Sequence, residues 1–330
     1  MLYHARRGRG TAACENPRHE ECRIVQVGRR IVCALILAGV CSWPGSAQVQ
    51  GEPAGAIRTE VRLVLLPVRV LDRFGHPLEA DLPQGAFEVY EDGIRQSIRV
   101  FEREDAAVSM GLVVDHSGSM SYKLEAVRAA AVALVRNSKP SDEVFVVSFG
   151  RQPYLDADFT QDEQVLGEAL RRGVIRGNTA LWDALGFSLR HMKKSAHRDL
   201  RVLIVISDGQ DVESSTTASD VIQEAQGSEV TVYSIGLGSE SRRDRGALRM
   251  LADSTGGEAF FPKALSDLDG LARRLAHDIR RQYLIGYSPA NSGGEPFCRK
   301  IAVTLEAKWK ATVRTRTGYC ASRQGSNARP

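Results

Sequence analysis

Apolar residues along this chain follow two periods. Short runs rich in β-branched residues occur at Ser109–Asp115, Val144–Phe149, Val202–Ser207, Val230–Ile235 and Ala259–Phe261. They are nearly continuous rather than alternating, as in strands covered on both faces. Between them the period lengthens. Leu124, Val127, Ala131 and Leu134 recur at helical spacing, Leu181, Leu185 and Leu189 share one helix face, and Leu268, Leu271, Leu275 and Ile279 form the stripe of a last helix. Thr160 to Glu163 predict a capping box that opens a further helix through Val165, Leu166 and Leu170. Buried strands alternating with amphipathic helices predict an α/β fold, a doubly wound and mostly parallel sheet, over residues 106–281.

The flanks read differently. "IRTEVRLVLLPVRVLD", "FEVYEDG" and "QSIRVFE" precede the α/β block; "QYLIGYSP", "RKIAVTLEA" and "ATVRTRTGY" follow it, with no helical pattern between them. Neither flank alone carries enough strands for an independent sheet. The expectation is one smaller β domain built from residues 57–105 plus 282–320, into which the α/β domain is inserted; two separate β appendages are the alternative. Cys298 and Cys320 are symmetric about Trp309. A hairpin turning at Lys308–Lys310 would set them opposite each other for one disulfide. "GEPAGA" reads as a linker, and residues 321–330 as a disordered tail.

Composition changes the picture at the N-terminus. Of the 330 residues, 43% are apolar, enough for one large or two modest domains, and the net charge is +4. Residues 1–47 hold seven Arg and three Glu, and without them 37 charges of each sign remain. That balance gives no electrostatic argument for a nucleic-acid partner. "VGRR", then the apolar run "IVCALILAGV", then small residues in "CSWPGSAQ" read as a signal peptide within residues 1–47. Ten apolar residues are too few to cross a hydrocarbon core of ~30 Å, so no stable membrane span is expected after cleavage. The protein is expected to be secreted or periplasmic, at the cell envelope. The stretch before Arg23 is long and hydrophilic for a signal, which points to a start near Val25 or Val27. Four of the six cysteines lie in this segment, and an even pair remains for an oxidising compartment.

Candidate chemistry sits where strands end. In open parallel sheets, ligands bind beyond the carboxyl ends of the strands. "GLVVDHSGSM" puts Asp115, Ser117 and Ser119 after the first strand; "VISDGQD" puts Asp208 and Asp211 after a later one; "RGNTALWDAL" sets Thr179 in a loop before a helix. If the two strands are neighbours, these oxygens converge. Hard divalent cations take oxygen ligands, about six for Mg²⁺. Hydroxyls coordinate without adding negative charge. Two aspartates acting through water would leave the ion electrophilic, with a position open to a partner's carboxylate.

"DHSGSM", "GNTALWDAL" and "VISDGQD" resemble the D-x-S-x-S, Thr and Asp-Gly elements of the von Willebrand factor A (VWFA) domain with its metal-ion-dependent adhesion site. The resemblance implies metal ligation by Asp115, Ser117, Ser119, Thr179 and Asp208, with Mg²⁺, Mn²⁺ or Ca²⁺ as cofactor. It also implies that the first and fourth strands lie side by side. With "FEVYEDGIRQSIRVFE", "RQYLIGYSP" and "VRTRTGY" it extends to a bacterial (acidobacterial) VWFA-related family over about residues 57–320. The implied function is non-enzymatic: an exported, adhesion-type module whose cation bridges to an Asp or Glu of a protein partner. A periplasmic assembly or scaffold factor, its motif mainly structural, is the alternative. A haloacid-dehalogenase-type phosphatase would need a second acid where Ser117 stands, and a serine hydrolase would need the glycines of a nucleophile elbow. His116 is expected to point to solvent between the ligands, His277 to lie on a wet helix face, and Trp182 to pack beneath its loop. Asp211 is either a support for the metal ligands or a solvated loop acid.

Overall fold

Two kinds of strand follow one another along the chain. The computed structural model describes residues 63–104, 107–175, 177–238, 241–289 and 297–321. The expected signal segment and the "GEPAGA" linker lie outside the described residues, as does the tail after 321. Strands of mixed burial come first: β1 (Val64–Leu71), β2 (Phe87–Glu91), β3 (Ile94–Gln96) and β4 (Ile98–Glu104). β2 buries Phe87, Val89 and Glu91 and leaves the residues between them half-buried, the period of a sheet with one covered face. β5 (Val108–Asp115) is of the other kind, with all 8 residues buried.

After β5 come α1 (Leu124–Arg136), β6 (Glu143–Phe149), β7 (Pro153–Thr160), α2 (Glu163–Arg172), α3 (Leu181–Ser195) and β8 (Leu200–Ser207). Next are α4 (Ala218–Gly227), β9 (Val230–Gly236), α5 (Arg242–Ser254), β10 (Ala259–Phe260) and α6 (Asp267–Asp278). The chain closes with β11 (Gln282–Tyr287), β12 (Phe297–Leu305), β13 (Thr312–Arg314) and β14 (Gly318–Ala321). β14 thus takes in the first residue of the expected tail.

Strands β5 to β10 form one sheet in the order β10-β9-β8-β5-β6-β7. Every pairing is parallel except that of β7, which runs antiparallel to β6 at the edge. This is the expected doubly wound, mostly parallel α/β sheet, and the first and fourth of these strands, β5 and β8, are neighbours. Successive side chains feed two cores. Met110, Leu112 and Val114 pack with α1 and α6 through Leu124, Val127, Leu268 and Leu275. Val113, Phe145, Val147, Leu203 and Val205 pack on the other face with Leu185 and Leu189 of α3 and Leu248 of α5. The sheet passes closest to its neighbours at Gly111, where a Cβ would lie 2.4 Å from both Leu203 Cδ2 and Phe145 Cζ.

Several local expectations are corrected. α2 is capped by Asp162, whose carboxylate accepts from Gln164 N and Val165 N, while Thr160 ends β7. The capping box belongs instead to α4, where Thr217 and Asp220 bond reciprocally. β7, α4 and α5 carry too few buried apolar positions to show in the sequence pattern.

The remaining strands form two four-stranded sheets, β13-β1-β11-β4 and β14-β12-β2-β3, which share one core. Each sheet combines strands from both flanks. The polar centre of that core is Glu91, 2% exposed. Its carboxylate accepts from Tyr287 Oη (2.5 Å), Tyr319 Oη (3.1 Å) and Arg299 (2.7 Å), tying β2 to β11, β14 and β12. Burial, and then the Glu91 carboxylate, push the Tyr287 phenol up. Cys298 and Cys320 pair across β12 and β14 and form a disulfide. The connection between them is not the simple hairpin expected. After a turn with Lys310 in the left-handed region, β13 crosses to pair with β1 before the chain returns as β14.

These two sheets pack at the amino-terminal ends of the parallel strands. Arg316, 5% exposed, donates to Gln226 O and Leu65 O (both 2.9 Å) and to Glu229 (3.0 Å). Thr317 N donates to Ser254 O at 3.1 Å. Both contacts meet helix carboxyl ends, where donors and cations are favoured. Arg280 forms a buried ion pair with Asp142 just before β11. The opposite end of the α/β sheet is left for its loops.

Gly111→Ala is expected to lower stability by about 1–3 kcal/mol, because the added methyl overpacks two buried side chains. A urea midpoint equal to that of wild type would contradict this account of the core.

Candidate functional site

The site begins with register. β5 and β8 pair in parallel with Val114 opposite Ile206, so Asp115 and the Ser207–Asp208 pair leave the sheet together. Ser207 Oγ donates to Asp115 Oδ2 at 2.6 Å and accepts from Gly209 N at 3.0 Å. Asp115 Oδ1 accepts from Ser117 N at 2.8 Å, which bends the chain out of the strand. Gly118–Met120 form a 3-10 turn, and the Ser117 and Ser119 hydroxyls lie 3.2 Å apart. Asp115, Ser117, Thr179 and Asp208 are buried, and Ser119 is exposed at the mouth.

Three loops are stitched together here. Gly118 N of the first donates to Gly177 O of the second (3.1 Å). Ala180 N donates to Gly150 O at the end of β6 (2.7 Å), and the Thr179 carbonyl accepts from Val212 N (2.9 Å) and Glu213 N (3.1 Å) of the third. Asp211 is an exposed loop acid with a definite structural task. It accepts from Leu181 N (2.8 Å) and Ser214 Oγ (2.6 Å), and Ser214 Oγ accepts from Trp182 N (3.0 Å). The third loop thereby caps the first turn of α3, just after Thr179. Asp183 in that turn accepts from Ser215 N (3.0 Å) and Thr216 N (2.9 Å), completing the clamp. The runs Asp211–Ser214 and Asp183 were visible in the sequence, but only the fold brings them together.

Charge is concentrated under these loops. Burial pushes the Asp115 carboxyl above the ordinary aspartate range; hydrogen bonds from Ser117 and Ser207 only partly offset this, and the Asp208 charge adds to it. Lys123, 5% exposed, was not singled out in the sequence. Its Nζ donates to Leu237 O at 2.8 Å and lies 3.9 Å from Asp208 Oδ2. A lysine placed this deep is costly unless it is paired, and Asp208 is the acid facing it.

His116 does not point to solvent: it is 2% exposed. Its backbone N–H extends the ladder to Phe149 O (2.6 Å), and its ring packs against Gly173, where a Cβ would lie 2.0 Å from His116 Cε1. His277 has an exposed side chain, and Trp182 is buried in the core.

The donor set fits a hard cation. Two hydroxyls lie within 3.2 Å of each other beside a buried carboxylate whose donors, Ser117 N and Ser207 Oγ, are neutral. Among the described residues no three His, Cys, Asp or Glu side chains gather into a metal-binding group. A cation held here would depend on the serine and threonine hydroxyls.

The family model described as von Willebrand factor type A domain matches residues 110–274. No curated protein matches the chain. Solved structures that resemble it include three bacterial proteins. A von Willebrand factor type A protein from Catenulispora acidiphila is 16% identical, over 72% of this chain and 74% of its own, with a TM-score of 0.49. The vWF domain of the type V pili tip protein Mfa5 from Porphyromonas gingivalis is 16% identical, over 53% of this chain and 97% of its own, at 0.45. An aerotolerance-related membrane protein from Bacteroides fragilis is 18% identical, over 52% and 98%, at 0.45.

Asp115 carries a pH prediction. In metal-free buffer the folded protein holds the Asp115 proton more tightly than the unfolded chain, whose carboxyl titrates near 3.8. Asp115 therefore favours folding below that pH and loses this contribution as pH rises through the raised folded value. Asp115→Asn keeps an acceptor for Ser117 N and turns an amide toward Ser207 Oγ. Its stability advantage over wild type, from urea unfolding in EDTA, is expected to be near zero at low pH and to grow toward neutrality. A difference that is flat or shrinks with pH would contradict it.

Proposed function

Because this chain belongs to the von Willebrand factor type A domain family, we propose that it is a protein-interaction module, not an enzyme, whose carboxyl-end loops hold a divalent cation for a partner's acidic side chain. Asp115, Ser117, Ser119, Thr179 and Asp208 would hold the ion, Mg²⁺, Mn²⁺ or Ca²⁺. The ion would supply positive charge at the loop mouth, where a carboxylate of another protein can take a ligand position. The chain's own residues prepare that place. The three hydroxyls offer oxygen without charge, so the aspartates alone compensate the ion. Ser207 and Ser117 fix the Asp115 carboxylate before any ion arrives. Lys123 keeps Asp208 partly compensated in the meantime. The observation that carries this reading is the buried, raised-pKa Asp115 beside a pair of hydroxyls at a strand mouth.

The protein is proposed to work outside the cytoplasm. That rests on the basic, apolar and small-residue sequence of residues 23–47 and on the Cys298–Cys320 disulfide, which persists in oxidising compartments. Among the described residues no helix is long and apolar enough to cross a membrane.

A structural role for the motif is the second reading, favoured by the backbone hydrogen bonds that join the three loops. Thermal unfolding with and without Mg²⁺ separates the two. At a hundredfold excess over Kd the ion is expected to stabilise wild type by about 2.7 kcal/mol. Asp115→Ala and Asp208→Ala are expected to fold and show no such shift, and Lys123→Met to bind Mg²⁺ more tightly. Equal shifts in wild type and both alanine variants would sink the metal site and leave the structural role. EDTA-sensitive capture of a partner, without turnover of phosphate or ester substrates, is the functional counterpart.

A further inference from the structure

Ten large apolar side chains are exposed among the described residues, and four of them lie in the loops that carry the candidate ligands: Tyr122, Val174, Ile175 and Val212. Single exposed apolar residues are ordinary, whereas several around one polar centre mark a contact surface. Each is linked to a ligand-bearing loop through its backbone or a neighbouring residue. The Tyr122 ring lies 5.3 Å from Lys123 Nζ, which is itself 3.9 Å from Asp208. Val212 N is bonded to the Thr179 carbonyl. Val174 and Ile175 follow Gly173, which packs on His116, the residue after Asp115. The two small sheets occupy the other end of the α/β unit, so they do not cover these side chains.

We infer that the partner segment recognised here is a carboxylate flanked by apolar side chains, with Tyr122, Val174, Ile175 and Val212 as the rim that receives them. The inference rests on the metal-bridging reading above and adds the chemistry around the acid. Charge complementarity sets the sign of the centre. Two aspartates facing a divalent ion and the buried Lys123 ammonium leave one net positive charge, which selects an anion. The rim sets the rest. A carboxylate reaching a hydrated ion exchanges one set of polar contacts for another, so much of the net gain must come from apolar surface withdrawn from water around it. A polar acidic segment would leave the rim wet.

The probes are two fluorescein-labelled, capped pentapeptides with glutamate at the centre, one with leucine and the other with serine at the four flanking places. At saturating Mg²⁺, anisotropy is expected to show the leucine peptide binding on the order of tenfold more tightly. In the Tyr122→Ser, Val212→Ser double variant that preference is expected to vanish while the Mg²⁺-induced thermal shift stays at the wild-type value. Both positions are exposed, so the variant is expected to fold. Equal binding of the two peptides to wild type, or a preference that survives in the double variant, overturns the inference and leaves the metal-bridging reading standing. Absence of any Mg²⁺ shift in wild type, or leucine-peptide binding indifferent to EDTA, overturns both.

Discussion

Parallel pairing of β5 with β8 decides where every polar group of the candidate site falls. Strand side chains alternate, so a slip of one residue would turn Asp115 from the strand mouth toward a helix layer. The register is held by burial on both faces. Met110, Leu112 and Val114 are committed to the α1–α6 side, and Val113 with Leu203 and Val205 to the α3 side. Gly111 allows that fit, because no side chain could be accommodated between Leu203 and Phe145. The polar end of the strand is thus placed by its apolar body, and Ser207 finds Asp115 because Ile206 already lies beside Val114.

The same burial makes the site electrostatically unsettled. Asp115 accepts hydrogen bonds from Ser117 N and Ser207 Oγ, both neutral, and its burial raises its proton affinity. Lys123 compensates Asp208 from 3.9 Å, held back by its bond to Leu237 O. A folded chain that stores an under-compensated carboxylate under fixed loops gains from any cation that reaches it. The loops do not have to be ordered by that event, since backbone hydrogen bonds already join all three. The cost of organising the site is met when the chain folds, so on the proposed metal-bridging reading more of an ion's interaction energy would remain for a partner.

Much of this was legible in the sequence, for reasons that particular residues make plain. β5, β6, β8 and β9 are continuous apolar runs, and α1, α3 and α6 carry clear stripes, so the sheet and its layers could be read directly. The five oxygen-bearing residues were visible because each follows a strand or opens a helix. β7 was missed because an edge strand with half-exposed positions has no run to detect. α5 was missed because only Leu248, Leu251 and Ala252 are buried among its charges. His116 was misplaced because its burial depends on a glycine far along the chain, Gly173, whose missing side chain makes the room. The bond from the first amide of α3 to Asp211 was not legible, because it joins residues thirty positions apart. These are long-range facts, and no local pattern encodes them.

The division of the molecule into two ends follows from where each kind of strand can go. Sheets with one covered face must find another apolar surface, and β1, β2, β11 and β12 find it in one another, with Glu91 satisfied between Tyr287, Tyr319 and Arg299. Arg316 and Thr317 reach from them to the carboxyl ends of α4 and α5, which lie at the amino-terminal side of the parallel strands. Docking there satisfies the orphan carbonyls of α4 and α5 and leaves the helix amino ends and strand carboxyl ends uncovered. The end that retains exposed Tyr122, Ile175 and Val212 is therefore the end whose chemistry looks outward, and the two facts have one origin in strand direction.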